Sequence, residues 1–117
     1  MSRSAWRVVF VIAFAGQTAA LYWPRVPGVD SGLPLDKIAH VLLFTAVAAL
    51  GVLAGFPTGW LVLGLLLQGI VSEAAQGAIP GRGSDPVDLL ADVIGIAAGV
   101  TLGSWLRGRR GRPSDHP

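Results

Sequence analysis

Asp36, Lys37, His40, Glu73, Gln76, Arg82, Asp88 and Asp92 interrupt a chain that is otherwise almost wholly apolar between Val8 and Leu106. They fall at the ends of the apolar runs or one to two turns inside them. Ionisable groups at membrane depth are costly, so their default reading is functional. His40 suits general acid or base work, oriented by Asp36 or Glu73, while Lys37 and Arg82 suit a phosphate or a developing anion. That set fits phosphoryl or acyl chemistry on a lipid-linked substrate. It lacks an activated nucleophile, because Ser72 and Ser84 stand in no motif such as G-x-S-x-G. Zinc and manganese take histidine and carboxylates. One histidine in the apolar region, no cysteine and no H-E-x-x-H spacing make a poor ligand set. No metal or cofactor is therefore expected. The same residues also serve without reacting. Lys37 and Arg82 would hold a phosphate head group and the carboxylates a sugar or an amine. A path for protons or ions is a further use of Glu, Asp and His at membrane depth.

A purely architectural reading pairs Arg82 with Asp85, Asp88 or Glu73, and lets His40 and Asp36 tie helix ends together. It accounts well for Asp36 and Asp85, which fall at helix N-termini where carboxylates cap. It accounts poorly for Glu73. That residue lies near a helix C-terminus, where the macrodipole disfavours an anion, and about two turns inside an apolar run. Glu73 is therefore the strongest single candidate for function.

The elements that carry these residues follow from hydropathy. The chain has 117 residues, 52% hydrophobic and only 14% charged. Its mean hydropathy is +0.60. A soluble domain this small could not hide so much apolar surface. Four apolar stretches, 6–23, 38–56, 60–79 and 87–105, each approach the ~20 residues of a spanning helix. Backbone groups in hydrocarbon must be satisfied within the segment, which makes helices the natural choice. Pro24, Pro27 and Pro34 break the first connection, Pro57-Thr58-Gly59 the second, and the run from Pro80 to Pro86 the third. Trp6, Trp23, Trp60 and Trp105 fall at helix ends, as an interfacial aromatic belt does. The expected fold is all-α, an integral membrane bundle of four transmembrane helices over 1–106. A basic, disordered tail is expected over 107–117.

The net charge is +2. The pI near 9.9 reflects arginine-rich ends rather than a face for nucleic acid, and no nucleic-acid partner is expected. Arg3, Arg7, Arg107, Arg109, Arg110 and Arg112 gather on the side of the two termini. Arg25, Lys37 and Arg82 on the other side are diluted by Asp30, Asp36, Asp85 and Asp88. The positive-inside rule then places both termini in the cytoplasm of a multi-pass cell-membrane protein. Arg3, Arg7 and Ala13-Phe14-Ala15 also look like a secretory signal with its cleavage site. The apolar run continues past Ala15 to Tyr22-Trp23, so an uncleaved first helix is expected.

On four such helices the polar groups converge at one depth. Asp36, Lys37 and His40 open the second helix, Glu73 and Gln76 close the third, and Asp88 and Asp92 open the fourth. Asp36 and His40 share a face at i, i+4, as do Asp88 and Asp92. The face of Asp88 and Asp92 continues as Gly95, Gly99 and Gly103, a doubled G-x-x-x-G run that lets backbones approach. Ala48, Gly51 and Gly55 lie on much the same side as His40. Gln17 and Thr18 on the first helix either line the cluster or bond across helices.

Asp36-Lys37-x-x-His40, Glu73-x-x-Gln76, Pro80-Gly81-Arg82, Asp88, Gly95 and Gly99 together resemble the VanZ-like family over residues 36–103. The order and spacing of these short motifs carry the likeness. Two features depart from the pattern: Asp92 stands where the family often has Asn, and Val41 and Phe44 only partly match its aromatic positions. The resemblance implies a small multi-helix membrane protein, with a founding member associated with teicoplanin resistance. The expected partners are membrane lipids or a lipid-linked envelope precursor. A proton- or ion-coupled transport protein is the alternative.

Overall fold

The computed structural model describes residues 2–22, 35–78 and 86–110, with the side chains of residues 35, 36 and 110 outside that description. Within it the chain forms four helices and no strand: α1 (Arg3–Tyr22), α2 (Leu35–Leu53), α3 (Thr58–Ala78) and α4 (Pro86–Arg110). The protein is an all-α membrane bundle. Arg3–Tyr22, Thr58–Ala78 and Pro86–Arg109 are long and apolar enough to cross a membrane, and the apolar part of α2, Lys37–Leu53, is shorter. The 19 residues of α2 rise about 28 Å, close to the ~30 Å hydrocarbon core.

Local chemistry sets the helix ends. Ser2 caps α1: the Ala5 backbone N–H donates to its Oγ at 3.1 Å. α2 closes in a Schellman motif. The Phe56 N–H reaches the Gly51 carbonyl, the Gly55 N–H reaches that of Val52, and Gly55 takes a left-handed φ of 84°. Pro86 starts α4, where its missing N–H costs nothing, and Asp88 falls in the first turn. α4 also runs one turn past Leu106, so Arg107, Arg109 and Arg110 belong to a helix, and the rest of the expected tail lies outside the described residues.

α2 is the centre of the bundle and meets each of the other three helices; its closest pairing is with α4. Contacts between the two advance together along both chains, so they run parallel. A Cβ added at Gly95 would stand 2.7 Å from the Val41 carbonyl oxygen. At Gly99 it would strike the Thr45 carbonyl, and at Gly103 it would stand 2.8 Å from that of Ala49. The three glycines are the reason the helices come this close, as their spacing foretold. Gly51 differs from expectation. It faces Leu61 and Phe10 rather than α4, and Gly55 lies in the turn beyond α2.

The outer faces are apolar, and the interior joins an apolar core around Phe44, Val47 and Leu65 to a set of buried polar side chains. Trp60 is 74% exposed and Ile12 67%, whereas Gln17, His40, Ser72, Glu73, Gln76, Asp88 and Asp92 are all buried. In water this distribution would be self-defeating; in a bilayer, the hydrocarbon covers the outer faces. Thr18, Thr45 and Thr101 donate their hydroxyls to carbonyls one turn back, which leaves none unpaired.

Candidate functional site

The buried polar side chains form a layer fed by all four helices. His40 sits at its centre. Its Nδ1 lies 2.5 Å from Asp92 Oδ1, a bond that joins α2 to α4. With the carboxylate ionised, the ring N–H donates. The other ring nitrogen faces Asp88 Oδ2 at 3.9 Å, so the imidazole stands between two carboxylates. Lys37, one turn nearer the start of α2, places Nζ 2.7 Å from Asp88 Oδ1. Lys37 is 25% exposed and Asp88 wholly buried, so this pair runs from the mouth of the layer to its interior.

α3 supplies the facing wall. Gly69, Ser72, Glu73 and Gln76 are buried along one face of it. Gly69 brings the wall up to α4, since a Cβ there would stand 3.1 Å from Asp92 Oδ2. Ser72 Oγ donates back to the Gly69 carbonyl at 3.0 Å. α1 closes the layer from the other side. Gln76 Nε2 donates to the Leu21 carbonyl at 2.5 Å, and Gln68 Nε2 donates to Thr18 Oγ1 at 2.9 Å. Gln17, beside Thr18 and one turn before Leu21, is wholly buried.

Hydrogen bonding within the layer is incomplete. Both amide atoms of Gln17, the Oε1 atoms of Gln68 and Gln76, and Asp92 Oδ2 are buried without a partner among the described residues. Four of these five atoms are acceptors. A buried polar atom with no partner leaves about 1–3 kcal/mol of desolvation uncompensated. The interior of the layer is thus rich in acceptors, with its one described ammonium at the mouth.

The residues singled out by sequence sort as follows. Lys37, His40, Glu73, Gln76, Asp88 and Asp92 all come to the layer. Arg82 and the side chain of Asp36 lie outside the described residues, as does the pairing of Glu73 with Arg82. The partner found for His40 is Asp92, where sequence favoured Asp36 or Glu73. Gln68 went unnoticed. Its signal was spacing: it precedes Ser72 and Gln76 at steps of four, on the stripe of α3 that turns inward. Among the described residues, no three of His, Cys, Asp and Glu converge as a metal site. Comparison with protein-family models, with curated proteins and with solved structures finds no match to this chain.

Proposed function

We propose that the polar layer binds a lipid-linked phosphate ligand of the cell envelope, in a multi-pass membrane protein of the VanZ-like type. The observation that carries the proposal is the set of unpartnered buried atoms on Gln17, Gln68, Gln76 and Asp92. An acceptor-rich interior asks for a donor-rich guest, such as sugar hydroxyls or an amine. Lys37 at the mouth, paired inward with Asp88, would have to share its ammonium with a phosphate there. A ligand with both parts, and an acyl or prenyl chain in the bilayer, matches that polarity. The arginines at both chain ends support cytoplasmic termini, which put Lys37 and the layer toward the outer leaflet.

The test uses purified protein in detergent with a polyprenyl phosphate, a polyprenyl phosphosugar and the uncharged polyprenol. Thermal stabilisation should be greatest with the phosphosugar and least with the polyprenol. Lys37→Gln should remove the advantage of the phosphate, and Gln17→Leu that of the sugar. Equal response to all three lipids would refute the reading. By the family resemblance, expression should also lower teicoplanin susceptibility of a sensitive host, and Lys37→Gln should abolish that effect.

The proton- or ion-coupled alternative rests on a different observation: His40 stands between Asp92 and Asp88. A buried imidazole flanked by two carboxylates has the form of a relay. A pH-sensitive dye inside proteoliposomes separates the two readings. Flux that requires His40 would favour transport, and a silent dye would favour binding.

A further inference from the structure

At the opposite end from the polar layer, α1 and α3 leave a groove lined by Phe10, Phe14, Phe56, Trp60, Leu61 and Leu65. Its volume is about 240 Å³ and its walls are almost purely apolar. An apolar cavity of about 150 Å³ already holds a benzene molecule. This one has room for a stretch of acyl chain. Two cations stand at its mouth. The Arg7 guanidinium lies over the Phe56 ring, 5.4 Å from the centroid. Arg3 lies across Gly55 in the same turn, with Nε 2.9 Å from where a Cβ would be. Both side chains are exposed. Every acidic residue of the described part (Asp36, Glu73, Asp88, Asp92) belongs to the other end of the bundle. Nothing described at this end neutralises the two arginines.

We infer that this groove is a binding site for an anionic phospholipid, with one acyl chain between α1 and α3 and the headgroup phosphate on Arg3 and Arg7. An aromatic trough selects a chain, and a pair of guanidiniums selects a phosphate that carries a net negative charge. A zwitterionic lipid offers the same chain with its phosphate already offset by its own ammonium. The site is independent of the polar layer and of what that layer binds.

The groove has a built-in control. A Cβ added at Gly64, on the groove wall, would meet no protein atom within 4 Å. Gly64→Leu therefore starts its side chain in open space on the groove wall and should fill the groove with the bundle intact. Gly16 is equally open but does not line the groove, so Gly16→Leu is its match. The experiment reconstitutes the full chain in nanodiscs of equal phosphatidylglycerol and phosphatidylcholine. It then extracts the protein in mild detergent and counts retained lipids by native mass spectrometry. The wild type and Gly16→Leu should retain phosphatidylglycerol in preference. Gly64→Leu should retain neither lipid above background. Arg3→Gln and Arg7→Gln should each cut the preference about fivefold, the equivalent of about 1 kcal/mol per basic residue. Thermal unfolding of each variant in the same detergent checks the fold. Undiminished retention by Gly64→Leu would show that the lipid sits elsewhere and overturn the proposal. Equal retention of the two lipids by the wild type would overturn its anionic half.

Discussion

At the scale of single residues, Gln17 separates a structural layer from a binding one. Gln17 is wholly buried with neither amide atom paired to a described residue, an arrangement that costs stability unless something else bonds it. Gln17→Leu keeps similar bulk and removes the unpaired amide. It should raise the unfolding free energy in detergent by about 1–3 kcal/mol while weakening ligand binding. A variant that is less stable instead would mean that the amide has a structural partner. The His40–Asp92 bond makes the converse case. Either single change, His40→Gln or Asp92→Asn, breaks a buried pair and should cost roughly 3–5 kcal/mol. The double variant should lose less than the sum of the singles, and simple additivity would show that the two do not interact. The candidate residues were legible because charge in an apolar run is conspicuous. Their pairing was not. His40 and Asp92 are 52 residues apart, and a one-turn shift of α4 along α2 would have given His40 another partner.

At the scale of the helices, hydropathy located all four, because a bilayer requires long apolar segments of self-satisfied backbone. It misjudged the end of α4. Arginine is a good helix former and its long stem reaches polar surroundings from the last turns, so the helix outlasts the apolar run. The close-packing face of α4 was legible from its glycine spacing, whereas that of α2 was only half so. The contact follows His40, Phe44, Ala48 and Val52, a row of i, i+4 steps that drifts about 40° per step around the helix. A straight projection from His40 points to Gly51, by which depth the interface has moved on to Val52. Gly99 lies at the closest approach, over the Thr45 carbonyl and Ala48. Gly99→Ala should cost about 1–3 kcal/mol through overpacking, and Gly99→Leu should abolish a stable fold. Gly16→Ala, with open space around it, should cost nothing comparable. Thermal unfolding of the three variants, side by side in one detergent, ranks them; a harmless Gly99→Leu would contradict the close α2–α4 pairing.

At the scale of the whole molecule, sidedness and the fate of α1 are linked. Four helices return the chain to its starting side, so fusions of a compartment-specific reporter at Ser31 and at the C-terminus should report opposite sides. By the positive-inside rule, the C-terminal fusion should be the cytoplasmic one. That sidedness survives cleavage of α1, but the bundle itself needs α1 to stay. α1 does more than deliver the chain: Gln76 donates to the Leu21 carbonyl, Gln68 to Thr18, and Phe10 packs over Gly51. Cleavage after Ala15 would take Phe10 and Phe14 from the bundle and leave three spans. The C-terminus would still be cytoplasmic, but residues after the cut would begin outside, so the C-terminal reporter alone does not decide. N-terminal sequencing of protein purified from membranes does. A sequence that begins within the first few residues supports a retained helix. One that begins at Gly16 would mean that the α1 packing is lost after export, along with the groove between α1 and α3.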